Sequence, residues 1–115
     1  MRIAVTSQNF RTVTAHAGKT RRFLIYDIRC PCSPREVERL DLPQEMAFHT
    51  FRGDHHPLDG VTAIITGGAG EGFIARMGQR GIGVVCSGED DPLQAVRDYI
   101  QGIVKPLEAS AHDRG

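Results

Sequence analysis

The stretch VTAIITGGAGEGFIARMGQRGIGVVC, residues 61–86, decides the fold. Val61 to Gly67 is a near-continuous apolar run, the pattern of a strand covered on both faces. A glycine-rich turn follows. Phe73, Ile74 and Met77 then recur at helical spacing up to Gly81, a residue suited to the position just past a helix. Ile82 to Cys86 reads as a second strand of the buried type. Strand, helix and strand in this order make a parallel pair with a right-handed crossover. The expected elements are strands at 61–66 and 82–86 with a helix at 70–80 between them.

Toward the C-terminus, Asp91 is a good N-cap and Pro92 suits the first helical position. Leu93, Val96, Ile100 and Ile103 mark one face of a helix expected over 91–103. Residues 105–115 are polar and without period, so they read as a flexible tail behind a single domain of residues 1–104. Toward the N-terminus, RFLIYDI at 22–28 is rich in aromatic and β-branched residues, and 2–6 is a short strand. Ser7 to Thr20 is a long polar loop. CPCSP at 30–34 is a turn, and 36–42 reads as an edge strand closed by Pro43, antiparallel to its predecessor. Residues 44–60 have no period and are expected to be the least ordered internal segment. The whole reads as an α/β domain: a mixed sheet, first an antiparallel meander, then a parallel strand–helix–strand–helix half.

A chain of 115 residues has room for one core. Its 14 basic and 14 acidic residues balance, which argues against nucleic acid as a partner. Arg21, Arg22, Arg35 and Arg39 could form a patch, but Glu36, Glu38 and Asp41 are interleaved among them, the mark of a solvated face. The apolar run at the N-terminus stops too soon for a signal peptide, and no segment reaches membrane-spanning length; the expectation is a cytoplasmic protein with no membrane partner. Cys30, Cys32 and Cys86 are then thiols. Two cysteines spaced as Cys30-Pro-Cys32 cannot enclose a cluster and read as incidental to the turn, while Cys86 reads as a small core residue.

Four features in order, MRIAVTS at 1–7, VTAHAGKTRRFLIYDI at 13–28, GVTAIITGGAGEGFIARMGQRGIGVV at 60–85 and PLQAVRDYIQG at 92–102, resemble the dinitrogenase iron–molybdenum cofactor biosynthesis domain. That domain occurs in the carriers NifX and NafY and at the C-terminus of NifB. The resemblance implies a ribonuclease H-like α/β fold without nuclease activity. It also implies binding of the iron–molybdenum cofactor, or its iron–sulfur precursor, for delivery to cofactor-assembly proteins or apo-nitrogenase. The family's HFG motif stands here as His16-Ala17-Gly18, which makes His16 the implied cluster ligand.

Histidine is also the most informative residue type when read directly. His16, His49, His55 and His56 all lie in the two long loops; His112 is in the tail. Imidazole is a common ligand for transition metals, although no zinc-type spacing is present and solvated loop histidines are the plainer alternative. Gly67-Gly68-Ala69-Gly70-Glu71-Gly72 is neither a dinucleotide fingerprint nor a P-loop. Its amides, at Gly68 and Gly70 above all, either meet the anionic face of a ligand or allow close packing of helix on strand. Hydrolytic chemistry on such a sheet would need clustered carboxylates, but the first strand ends in Thr6 and Ser7, and Asp27 stands alone. The reading is therefore a carrier for an iron–sulfur-type cluster and not an enzyme, with metal contacts from His16, His49, His55 and His56. The alternative is an interaction or regulatory domain of the same fold that binds no cluster.

Overall fold

Alternation in the short first strand sets up the three layers. In Arg2–Thr6 (β1), Ile3 and Val5 face one way and Ala4 the other, and all three are fully buried. A strand buried on both faces must be central. Arg22–Arg29 (β2), Ser33–Asp41 (β3), Ala63–Thr66 (β4) and Gly83–Cys86 (β5) complete one sheet in the order β3-β2-β1-β4-β5. β1, β2 and β3 pair antiparallel, whereas β4 runs parallel to both β1 and β5. Ala4 lies opposite Ile25 on one side and Ile64 on the other. The computed structural model describes residues 1–29, 33–51 and 53–106. Cys30, Cys32 and most of the expected turn, like the tail beyond residue 106 with His112, lie outside the described residues.

The mixed sheet with an antiparallel first half and a parallel second half is the architecture expected. Glu71–Gln79 (α1) covers one face, where Phe73 and Met77 join Ala4, Phe23, Ile25 and Ile64. Pro92–Ile100 (α2) covers the other, where Ala95 and Val96 meet Ile3, Val5, Leu24 and Ile65. Both helices end in a Schellman motif. Gly81 (φ 77°) follows α1, with Ile82 N–H donating to Met77 C=O at 2.9 Å; Gly102 (φ 78°) follows α2, with Ile103 N–H donating to Asp98 C=O at 2.8 Å. Gly102 thus stops α2 short of Ile103, which the helical spacing had included. Asp91 sits at the N-cap of α2, but its side chain makes no capping bond. Among the described residues no helix is long and apolar enough to cross a membrane.

One expectation is corrected, and two segments are held by more contacts than their sequences announce. β5 is not buried on both faces; it is the sheet's edge, and its Val84, Val85 and Cys86 are half-exposed. In the segment 44–60, described residues pack against the core. Ala47, Phe48, His56 and Leu58 are buried, and α1 holds the segment by its arginines. Arg76 donates to Phe48 C=O at 3.1 Å, and Arg80 to Gly53 C=O at 3.1 Å and the Asp59 carboxylate at 2.8 Å. Apolar residues at irregular spacing can fill a core without any period, so periodicity could not reveal this packing. Lys105, where the polar tail is expected to begin, makes contacts of its own. Its Nζ pairs with Glu89 and with the buried Asp98, and its carbonyl accepts the Gly88 N–H at 2.9 Å.

Candidate functional site

β1 and β4 lie side by side and parallel, yet the chain leaves them in opposite directions: from β1 to β2 on one side, from β4 to β5 on the other. Such a switch point opens a crevice at the carboxyl ends of the two strands. Loop 7–21 and the glycine-rich turn both start there.

Thr6 and Thr66, the last residues of these strands, are fully buried and tie the two loops together. Their hydroxyls lie 2.9 Å apart and both reach Thr14 C=O, at 2.6 and 3.2 Å. Thr66 Oγ1 also bridges Gly68, meeting its carbonyl at 3.2 Å and its N–H at 3.3 Å. Backbone bonds continue the seam: Gly67 N–H donates to Thr14 C=O at 3.0 Å and Ala17 N–H to Gly68 C=O at 3.1 Å. The approach brings the two loops to contact distance. A Cβ on Gly67 would come within 3.4 Å of Thr14, and one on Gly68 within 3.4 Å of Ala15, whereas Gly70 and Gly72 face open space. Gly67 and Gly68 thus lie against the neighbouring loop, while Gly70 leaves the first turn of α1 without a side-chain cap.

Thr66→Val is expected to cost about 1–2 kcal/mol, because the half-buried Gly68 N–H and the buried Thr6 hydroxyl each lose a partner. Hydrogen exchange at Ala17, Gly67 and Gly68 should rise, and Thr66→Ser should restore it. Unchanged exchange in the valine variant would show that the seam does not depend on this hydroxyl.

The seam delivers His16 in a left-handed conformation, φ 62°, which is uncommon and mildly strained for a residue with a Cβ. Its carbonyl accepts the Lys19 and Thr20 N–H groups at 2.9 and 3.1 Å, so the tight turn of the loop holds the strain in place. Ala17, in the middle of the motif, is fully buried in the core with Phe48 and Phe73. A third segment arrives through His49, whose N–H donates to Gly18 C=O at 2.8 Å. His16, Lys19, His49, Gly68, Gly70 and Phe73 then line one open cleft of about 400 Å³. Both histidines are exposed.

His55 and His56 do not join them. His55 is exposed and lines none of the described clefts. His56 is buried against Phe48, the ring centroids 4.0 Å apart, and both its nitrogens are engaged. Nε2 bonds Met46 C=O at 2.7 Å, so it carries the proton, and Nδ1 accepts Leu58 N–H at 3.1 Å. In this arrangement neither ring nitrogen presents a free lone pair. Burial holds its pKa below the ordinary imidazole value, opposed by the bond to Met46 C=O. The unfolded chain, titrating at about 6.5, therefore takes up this proton before the folded one does. His56's contribution to stability is complete above that pH and is lost as pH falls below it. Thermal unfolding at pH 5 and 7.5 should reveal this slope, and His56→Gln should flatten it. An equal slope in both proteins would assign it to other groups.

Lys19, Phe73 and the Thr6–Thr66 pair were not singled out as site residues from the sequence. Lys19 lies beside the histidine motif, and proximity was the one available signal. The threonines look like ordinary strand residues until their neighbours are known. Among the described residues no three His, Cys, Asp or Glu side chains converge to hold a metal ion.

Comparison with known proteins returns the same frame. The crystal structure of PH0822 superposes with a TM-score of 0.69 at 24% identity, covering 91% of this chain and 95% of that one. The NMR structure of a NifB-like protein of Thermotoga, TM1290, from the DUF35 family, gives 0.61 at 16% identity over 92% of each chain. At these identities the likeness is one of fold. No curated protein sequence matches the chain. The family described as dinitrogenase iron–molybdenum cofactor matches residues 1–102.

Proposed function

Because the chain belongs to the dinitrogenase iron–molybdenum cofactor family, we propose that it is a cytoplasmic carrier for an iron–sulfur-type cluster in nitrogenase cofactor assembly. The cargo is the iron–molybdenum cofactor or its precursor, and the recipient is a cofactor-assembly protein or apo-nitrogenase. The observation that carries this reading is the convergence of His16, His49 and the Gly68–Gly70 turn on one cleft at the switch point of the sheet. A bare ion would want three or four protein ligands. A preassembled cluster already has its sulfides and needs only one or two exchangeable contacts, which two exposed imidazoles supply. Carriage also requires release, and an open cleft suits that better than a closed cysteine cage. Among the described residues nothing in the cleft pairs a nucleophile with a base, and the reading is one of holding rather than catalysis.

The test is anaerobic incubation with a preassembled iron–sulfur precursor, followed by gel filtration and metal analysis. Iron should co-elute with the protein in a fixed ratio. Passage of the protein free of iron under these conditions would favour an interaction domain that binds no cluster.

A further inference from the structure

The cleft does not end at His16 and His49. A depression of about 350 Å³ adjoins it on the His16 side and another of about 450 Å³ on the His49 side. Lys19 lines all three, and Arg21 with Gln44 lines the last. No carboxylate lines any of them among the described residues. Two of the chain's early cations, Lys19 and Arg21, stand here. Arg2, Arg11, Lys19, Arg21 and Arg22 precede the first acidic residue, Asp27, in a chain whose net charge is zero. The structure then separates two kinds of cation. Arg22 lies 3.4 Å from Asp41, and Arg39 2.6 Å from Glu36, so the interleaved acids neutralise that part of the surface. Lys19 and Arg21 have no carboxylate partner among the described residues.

Their backbone is fixed even so. Lys19 N–H donates to His16 C=O at 2.9 Å, and the Arg21 and Arg22 N–H groups both donate to Gln8 Oε1, at 2.9 and 3.1 Å. The uncapped first turn of α1 adds donors and the positive end of a helix dipole at the opposite wall, beside Gly70. Lys19, on an ordered loop, shares the cleft with this uncapped turn, and Arg21 stands in the adjoining depression, an electrostatic arrangement for a multiply charged anion.

We propose that Lys19 is the hub of an anion-binding groove that extends the His16–His49 cleft and takes the carboxylate- or phosphate-bearing part of the ligand. The inference rests on the carrier reading for the identity of the cargo, not for the charge of the groove. In that division of labour the imidazoles meet metal, while Lys19, with Arg21 behind it, fixes the orientation of the acidic end.

The test uses the full, metal-free chain and two simple probes, citrate as a tricarboxylate and inorganic pyrophosphate as a phosphate, titrated calorimetrically at low and moderate salt. Lys19→Met should weaken the better probe about tenfold, the loss of one charge-assisted contact. Arg97→Met, an exposed cation on α2 across the sheet, should leave it unchanged. Moderate salt should weaken binding to the parent more than to Lys19→Met. The probe that binds more tightly identifies the source of the anion. Equal losses in the two variants, or no saturable binding of either probe, would overturn the proposal. Lys19-dependent probe binding by a protein that takes up no iron–sulfur cluster would sustain the groove and sink the carrier reading. Undiminished cluster uptake and probe binding by Lys19→Met would do the reverse.

Discussion

Phe23→Ala is expected to lower stability by about 3–5 kcal/mol, the usual cost of emptying an aromatic site in a packed core. Phe23 is fully buried on β2, opposite Thr6 of β1 and Leu40 of β3, and belongs to the cluster that α1 covers. Its ring sits where loop 7–21 rejoins the sheet, so the loss should reach the site as well as the core. For a domain of this size that is a large share of the whole margin. Val37→Ala is the control. Val37 is 45% exposed on β3, and its truncation should change stability by less than about 0.5 kcal/mol. Urea unfolding of the two variants checks the contrast. A shift of less than about 1 kcal/mol for Phe23→Ala would mean that the α1-side core is loosely packed.

The second large effect concerns His16. Replacing it with Asn should lower cluster retention about tenfold, the arithmetic of losing one ligand contact, while the fold stays intact. Asparagine is the informative replacement because it tolerates the left-handed backbone that His16 adopts. Alanine would add strain to the loss of the imidazole and confuse the two. His49→Gln should reduce retention as well, since His49 lines the same cleft. His55→Ala should do little. His56→Ala should act by destabilising the protein, because it leaves Met46 C=O and Leu58 N–H without partners in the core. Gel filtration with metal analysis reads retention, and circular dichroism reads the fold. Full retention by His16→Asn would end its assignment as a ligand.

The strands and helices were legible because their signals are local. Ile3 and Val5 alternate with Ala4, the run at Val61 announces a doubly covered strand, and Gly81 marks the end of a helix. Residues 44–60 were not legible. Phe48 and Leu58 reach the core from irregular backbone, where spacing carries no information, and the arginines that hold the segment, Arg76 in α1 and Arg80 at its C-cap, bond to it across 21 or more positions of chain. β5 misled for a related reason: Ile82 to Cys86 has the composition of a central strand, but only the strand order decides which strand is the edge.

By itself the sequence determined the class of the sheet, its antiparallel-then-parallel halves, its family and the segment that carries His16. Those follow from short-range periodicity, turn chemistry and an ordered set of motifs. Tertiary structure alone decided which histidines share a cleft. His49 joins His16 through one backbone bond to Gly18, across 31 positions of chain, and His56 turns inward to the core although it differs from His55 by a single step. Likeness of residue type says that a side chain could bind metal. Whether its lone pair is free depends on which distant backbone groups arrive beside it, and that is set by the closure of the sheet.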